Sequence, residues 1–362
     1  MTAIILPVIM RQPAQPAASP ATEDVPQSPP TISLIAREAL KTRMDEAKAP
    51  GQRDDDYNRR WLTLARRAAV LGACQSVAYP ENSDIGLDAL GARFPHFAPV
   101  VEEVRNWCSV GRLKPGAEMR LPPLLLVGPP ASGKSAFLRA LARVLQIPYE
   151  FIDGAQVTAT FVLTGGHLTW SGGTCGRVLS TLMERRVSNP MIILDEIDKL
   201  SRGLGGSGGS GGAIEHVLLS LLEPSTARRF RDEALDMTVD ASGLIWMATA
   251  NDLNAVSDVL RSRMQVLSVR APNLIEKRET LVPAIFQDLI EELGVAEQVM
   301  PLTEEVRAHL ALADMRAVRR LLMRALGAAV RRQTAEMVQI TMADLPEAEA
   351  PRFFGFQPVD PE

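Results

Sequence analysis

Eight residues, Gly128-Pro129-Pro130-Ala131-Ser132-Gly133-Lys134-Ser135, constrain this chain more than any others. They fit the pattern GxxxxGK[ST]. An apolar run, Leu124 to Val127, precedes them and an amphipathic stretch follows. A strand that enters a glycine-bearing bend and leaves as a helix turns successive backbone N–H groups toward one point, where phosphate oxygens fit. The helix start adds its positive dipole end. Lys134 supplies a compact positive charge for β- and γ-phosphates, and Ser135 offers a hydroxyl to Mg²⁺. Chance produces such a motif in roughly one chain in a hundred of this length, and the strand–loop–helix setting makes it rarer still. The expectation is a nucleotide cradle formed by Gly128 through Ser135.

The chain around the motif reads as alternating strands and helices. Leu124 to Val127, Tyr149 to Ile152, Met191 to Leu194, Leu244 to Ala248 and Gln265 to Val269 are short, predominantly apolar stretches. Such runs suit strands buried on both faces of a parallel sheet. The fold class expected is therefore α/β, a P-loop parallel sheet. After Pro272 the strand signal stops, and helical patterns cover Leu274 to Leu293, Glu304 to Ala311 and Arg316 to Arg332, an all-helical lid. Before the sheet, Ile32 to Lys48, Tyr57 to Val77 and Phe94 to Trp107 read as helices. The domain expectation is a Pro-rich disordered arm over 1–31, a helical region over 32–115, the α/β subdomain over 116–271, the lid over 272–345 and a loose tail over 346–362. Residues 203–212, GLGGSGGSGG, read as flexible coil.

Four further sites carry chemistry. Met191 to Leu194 ends in Asp195-Glu196, 61 residues after Lys134 (positions 134 and 195). Asp195 at the strand end suits the Mg²⁺ shell, and Glu196 suits a general base that polarises the attacking water. Leu244 to Ala248 runs on to Asn251, whose amide can orient that water or touch the γ-phosphate. Arg261 and Arg263 lie in Val259-Leu260-Arg261-Ser262-Arg263-Met264, where an arginine offered to a neighbouring subunit can stabilise charge on the γ-phosphate. Arg316 opens a helix from which it can close over the nucleotide.

Taken together, these residues resemble the AAA+ ATPases, and within them the ATPase module of Lon. The similar pieces are Asn189 through Leu200, Leu221-Leu222-Glu223-Pro224, Phe230 and Asp232 ahead of Leu235-Asp236-Met237, Ala248 through Asn251, and Val259 through Val266. The resemblance covers roughly Pro122 to Arg332. It implies ATP and Mg²⁺ as cofactors. It places the arginine finger on Arg263 and a lid sensor on Arg316. It also implies a homo-oligomeric ring, hexameric in the family, that works on polypeptides. His167 through Gly173 occupies the position of a pore loop, which puts the substrate grip on Trp170 between glycines that would leave it exposed and mobile. Ala131 stands where the family generally has glycine, a change expected to be tolerated. The Gly/Ser tract falls where a second pore loop would lie. Nothing in residues 333–362 resembles the Ser/Lys peptidase of Lon, so protease activity is not expected.

Composition weighs the rival readings. Lys plus Arg is 39 and Asp plus Glu is 43, a net charge of −4. That argues against a nucleic-acid machine, which Arg59, Arg60, Arg66 and Arg67 would otherwise serve. A slow nucleotide-gated scaffold is the other rival. Thr2 to Met10 is too short to span a membrane and contains Pro7. The three cysteines, Cys74, Cys108 and Cys175, form no CxxC pair, so a reduced, cytoplasmic setting is the default.

Overall fold

The computed structural model describes residues 31–49, 55–114, 116–202, 211–332 and 337–345. The tail expected at 346–362, the arm expected at 1–31 apart from Thr31, and residues 203–210 of the Gly/Ser tract lie outside them. Five strands form one sheet: β1 (Leu124–Val127), β2 (Tyr149–Asp153), β3 (Met191–Asp195), β4 (Ile245–Ala250) and β5 (Gln265–Ser268). Their order is β2-β3-β4-β1-β5, and every pairing is parallel.

The apolar runs explain this sheet. Leu124 and Leu126 of β1, Met191 and Ile193 of β3, and Ile245 and Met247 of β4 face one core. Leu125, Ile192, Leu194, Trp246 and Ala248 face the other. Helices cover both faces, so alternate residues on each strand leave water in opposite directions. On the first face lie α3 (Ser83–Arg93), α4 (Ala98–Gly111) and α5 (Lys134–Val144). On the second lie α1 (Arg37–Ala47), α2 (Asp56–Ala68), α6 (Arg177–Arg185) and α7 (Gly211–Leu222). The N-terminal helices thus share both cores with the sheet.

The lid holds its own core, built from α8 (Val282–Glu292), α9 (Glu304–Ala311) and α10 (Met315–Arg332), with Ile340 returning against it. Asn273 caps the lid's first turn and exchanges bonds with Glu276. A π-helical stretch, Lys277–Leu281, then joins that turn to α8, whose first turn carries Pro283. The widened turn accommodates a proline that lacks an N–H to donate. Among the described residues no helix is long and apolar enough to cross a membrane.

Several N-terminal expectations are corrected. The helix expected from Ile32 starts only at Arg37. Thr31–Ile32 pairs antiparallel with Cys74–Gln75, while Leu34 and Ile35 run extended into the core. Leu34 N donates to the Leu71 carbonyl (2.8 Å), and its own carbonyl accepts from Asp240 N (2.8 Å). Tertiary partners outcompete the helical period there. The helix expected to reach Val77 stops at Ala68 and tightens into a 3₁₀ turn, Ala69–Ala73, before the strand residue Cys74. The helix expected from Phe94 begins at Ala98, after a 3₁₀ turn at Pro95–Phe97. Helix α3 was not expected, because Gly86 and Gly91 weaken its signal. A Cβ at Gly86 would stand 2.7 Å from Val144 Cγ1, so glycine lets α3 approach α5 closely. The end of the Gly/Ser tract is likewise not coil, since Gly211 and Gly212 begin α7, whose Ile214, Leu218 and Leu221 are buried.

A short antiparallel ribbon, Phe230–Asp232 with Met237–Val239, was also not expected. Asp232 is fully buried and accepts N–H bonds from Gly176 (2.8 Å), Ala234 (3.0 Å) and Leu235 (3.1 Å). Burial pushes its carboxyl up to about 6, against the bonds that favour the anion. A group whose folded pKa is raised binds protons more tightly when folded. Its contribution is therefore fully present below the unfolded value, near 4, and is lost as pH rises through about 6. Chemical denaturation at pH 7.5 and pH 5 should show wild type gaining about 1–2 kcal/mol relative to Asp232→Asn as pH falls. An unchanged difference would disprove the assignment.

Candidate nucleotide site

The P-loop leaves the C-terminal end of β1 and feeds α5, at the sheet edge where β3 and β4 also end. Ligands of open parallel sheets bind there because strand ends and helix starts converge. Two residues in the bend, Ala131 (φ 61°) and Gly133 (φ 88°), adopt left-handed backbone. Gly128 is needed for space, since a Cβ there would meet the Val269 carbonyl oxygen at 2.2 Å.

Lys134 is buried, and its ammonium donates to the carbonyls of Gly128 (2.8 Å) and Pro129 (2.9 Å) and to Asn251 Oδ1 (3.0 Å). Burial lowers its pKa, while Asp195, Asp198 and Glu196 pull the other way. Ser135 Oγ donates to Asp195 Oδ1 (2.6 Å), and Thr249 Oγ1 donates to the same oxygen (2.6 Å). Thr249 Oγ1 also accepts from Glu196 N (3.0 Å). Glu196 takes a left-handed backbone (φ 54°), which costs a non-glycine residue about 1–3 kcal/mol. The Thr249 hydroxyl holds it there. Asn251 Nδ2 donates to Glu196 Oε1 (3.3 Å), and Asn251 N donates to the buried Asp198 (3.2 Å). One asparagine amide therefore touches both Lys134 and Glu196.

Ala131 through Ser135, Asp195, Glu196, Thr249 and Asn251 line a cavity of about 310 Å³ closed on one side by the lid. Ala284, Ile285, Asp288, Met315 and Arg316 come from the lid, while Arg93, Phe94 and His96 come from the N-terminal region. Arg93 pairs with Asp288 across its mouth. His96 Nε2 donates to the Ser132 carbonyl (2.8 Å), and burial lowers its pKa. Sequence reasoning missed Arg93, His96, Asp288 and Thr249. The only available signal was the hydroxyl two residues ahead of Asn251.

Of the expected site residues, Ala131 through Ser135, Asp195, Glu196, Asn251 and Arg316 line the cavity, whereas Gly128 and Pro129 reach it only through the carbonyls that bond Lys134, and Pro130 does not line it. Arg263 does not line this cavity; it stands exposed in the turn before β5. Trp170 is also remote, with 66% of its surface exposed. Arg60 is not a free surface arginine. Its guanidinium donates to the carbonyls of Leu168 (2.7 Å), Trp170 (2.9 Å) and Gly173 (2.7 Å), which removes one of the four arginines available to a nucleic acid.

Residues 124–270 match the AAA family, "ATPase family associated with various cellular activities". The Lon protease of Flavobacterium johnsoniae is 33% identical over 186 residues, covering 51% of this chain and 22% of that protein. The Lon protease of Parabacteroides distasonis is 34% identical over 180 residues, covering 50% and 21%. The chain carries a Lon-like AAA+ module. It spans about a fifth of the length of the Lon relatives it matches. A cryo-EM reconstruction of closed-state Hsp104 with ATPγS and FITC casein superposes with a TM-score of 0.50 at 17% identity, over 82% of this chain and 56% of that one, a likeness of fold.

Ala131 is the strained point of the Lon-like P-loop. Replacing it by glycine removes the left-handed penalty of about 1–2 kcal/mol against a chain-entropy loss of about 0.4–1 kcal/mol. Ala131→Gly should therefore raise the thermal midpoint slightly. A clear fall would mean that the alanine methyl packs productively.

Proposed function

We propose that the module binds ATP with Mg²⁺ and hydrolyses it within a homo-oligomeric ring, to unfold or remodel polypeptides. The observation that carries the reading is the chain of contacts Ser135–Asp195–Thr249–Glu196–Asn251–Lys134, which brings side chains suited to metal, water and phosphate together at one cavity. Two hard oxygens, Ser135 Oγ and Asp195 Oδ1, lie side by side, a donor set that fits Mg²⁺ completed by phosphate and water. When bound, the ion neutralises charge developing on the phosphates.

The remaining work falls to the chain's own residues. Lys134 leaves the carbonyls of Gly128 and Pro129 for phosphate oxygens. Glu196 accepts a proton from the attacking water, and Asn251 fixes the carboxylate that does so. Arg316, at the start of α10, reaches the nucleotide from the lid. Arg263, exposed and away from its own P-loop, is offered to the neighbouring protomer, so turnover depends on assembly. Trp170 grips the polypeptide. The similarity of fold to Hsp104, a protein imaged with casein, supports that class of substrate.

Lys134→Ala should abolish ATP binding measured by titration calorimetry. Glu196→Gln should bind ATP but turn over about 10²–10⁴-fold more slowly. Thr249→Val, which frees the strained Glu196 turn, should cost roughly 10- to 100-fold. Wild-type turnover by Glu196→Gln would remove the general-base assignment. Trp170→Ala should lose stimulation of turnover by casein, and retained stimulation would place the grip elsewhere.

A further inference from the structure

We infer that Arg60, on N-terminal helix α2, is the positioning residue that sets the Trp170 loop. The inference rests on the reading of Trp170 as the polypeptide grip. Glycines flanking Trp170 read in sequence as a recipe for mobility, yet the loop 166–174 is built. Gly166 N donates to the Thr174 carbonyl (2.9 Å), Trp170 N to the His167 carbonyl (3.1 Å) and Gly173 N to the Trp170 carbonyl (3.0 Å). A Cβ at Gly173 would stand 2.2 Å from the His167 carbonyl oxygen, so the neck closes only with glycine there.

These turns leave the carbonyls of Leu168, Trp170 and Gly173 turned toward one spot, and the Arg60 fork fills it with three donated bonds. A planar guanidinium can meet three acceptors from fixed directions, which an ammonium on a flexible stem does poorly. One turn earlier on α2, Tyr57 stacks on His167 with ring centroids 5.7 Å apart and planes 18° apart. The helix itself is fixed to the body of the fold. Trp61 is buried and its Nε1 donates to the Leu235 carbonyl (2.8 Å). Arg43 on α1, whose guanidinium lies over the Trp61 ring, bonds the Asp236 carbonyl (2.8 Å) and carboxylate (2.9 Å). With Trp61 locked inward, its neighbour Arg60 has a fixed direction, and the loop inherits it. The result is an exposed tryptophan on a backbone held from a different part of the chain. Pre-organisation of this kind lowers the ordering cost when the side chain engages a partner.

The test uses the full chain with Arg60→Ala and Arg60→Lys. Hydrogen exchange should speed up at least tenfold for amides of 166–174 in Arg60→Ala, with a smaller increase in Arg60→Lys, while β1 and β3 keep their protection. The casein concentration for half-maximal stimulation of ATP turnover should rise at least fivefold, with the maximal stimulated rate falling less than twofold. Unchanged loop exchange overturns the inference, as does equal loss of protection across the sheet, which would make Arg60 a general structural support. If Trp170→Ala leaves casein stimulation intact while Arg60→Ala still frees the loop, the clamp stands and the grip assignment fails.

Discussion

One carboxylate oxygen organises the site. Asp195 Oδ1 accepts hydroxyl bonds from Ser135 at the start of α5 and from Thr249 near the end of β4. It ties together three segments far apart in sequence, at the edge where parallel strands deliver their C-terminal ends. Thr249 relays the tie to Glu196, holding that residue in a backbone conformation it would not adopt alone. Asn251 completes the circuit by touching Glu196 and Lys134 with one amide. Stored strain and convergent polar groups are the marks of a site arranged in advance of its ligand.

The sheet was legible because its physics is local. The three central strands carry four or five consecutive apolar residues, whereas the edge strands, interrupted by Glu150 and by Gln265 and Ser268, are only half-buried. The segment Leu124–Val127 was read to the residue, and the lid helix Glu304–Ala311 likewise. The P-loop, the acid pair and Asn251 were legible because each sits next to such a strand. What stayed hidden depends on distant partners. Leu34 and Ile35 have helical spacing but run extended because Leu71 and Asp240 take the backbone bonds of Leu34, and Ile35 bridges to Val239. Helix α3 carries glycines that read as breaks until Val144 is seen pressing on Gly86. Thr249 looks like any strand residue until Asp195 and Glu196 are placed beside it.

The N-terminal region is woven into the α/β body. Through Phe94, His96 and Arg93 it forms a wall of the nucleotide cavity. Through Trp61, Tyr57 and Arg60 it rests on the ribbon and on the loop that presents Trp170. A segment that touches both places can pass a shift at one to the other by rigid-body movement of packed helices. The Arg93 pair with Asp288 adds the lid to the same mechanical unit. The cavity and the loop that carries Trp170 therefore share supports, although Trp170 itself lies outside the cavity.

Ser135 and Asp195 are proposed to hold Mg²⁺ beside a bound triphosphate. Calorimetric titration of the full chain with ATP, in Mg²⁺ and again in EDTA, tests it most directly. Binding should be saturable and should weaken by about tenfold or more, 1.4 kcal/mol, when the metal is removed. Absence of binding, or equal affinity under both conditions, would contradict that proposal.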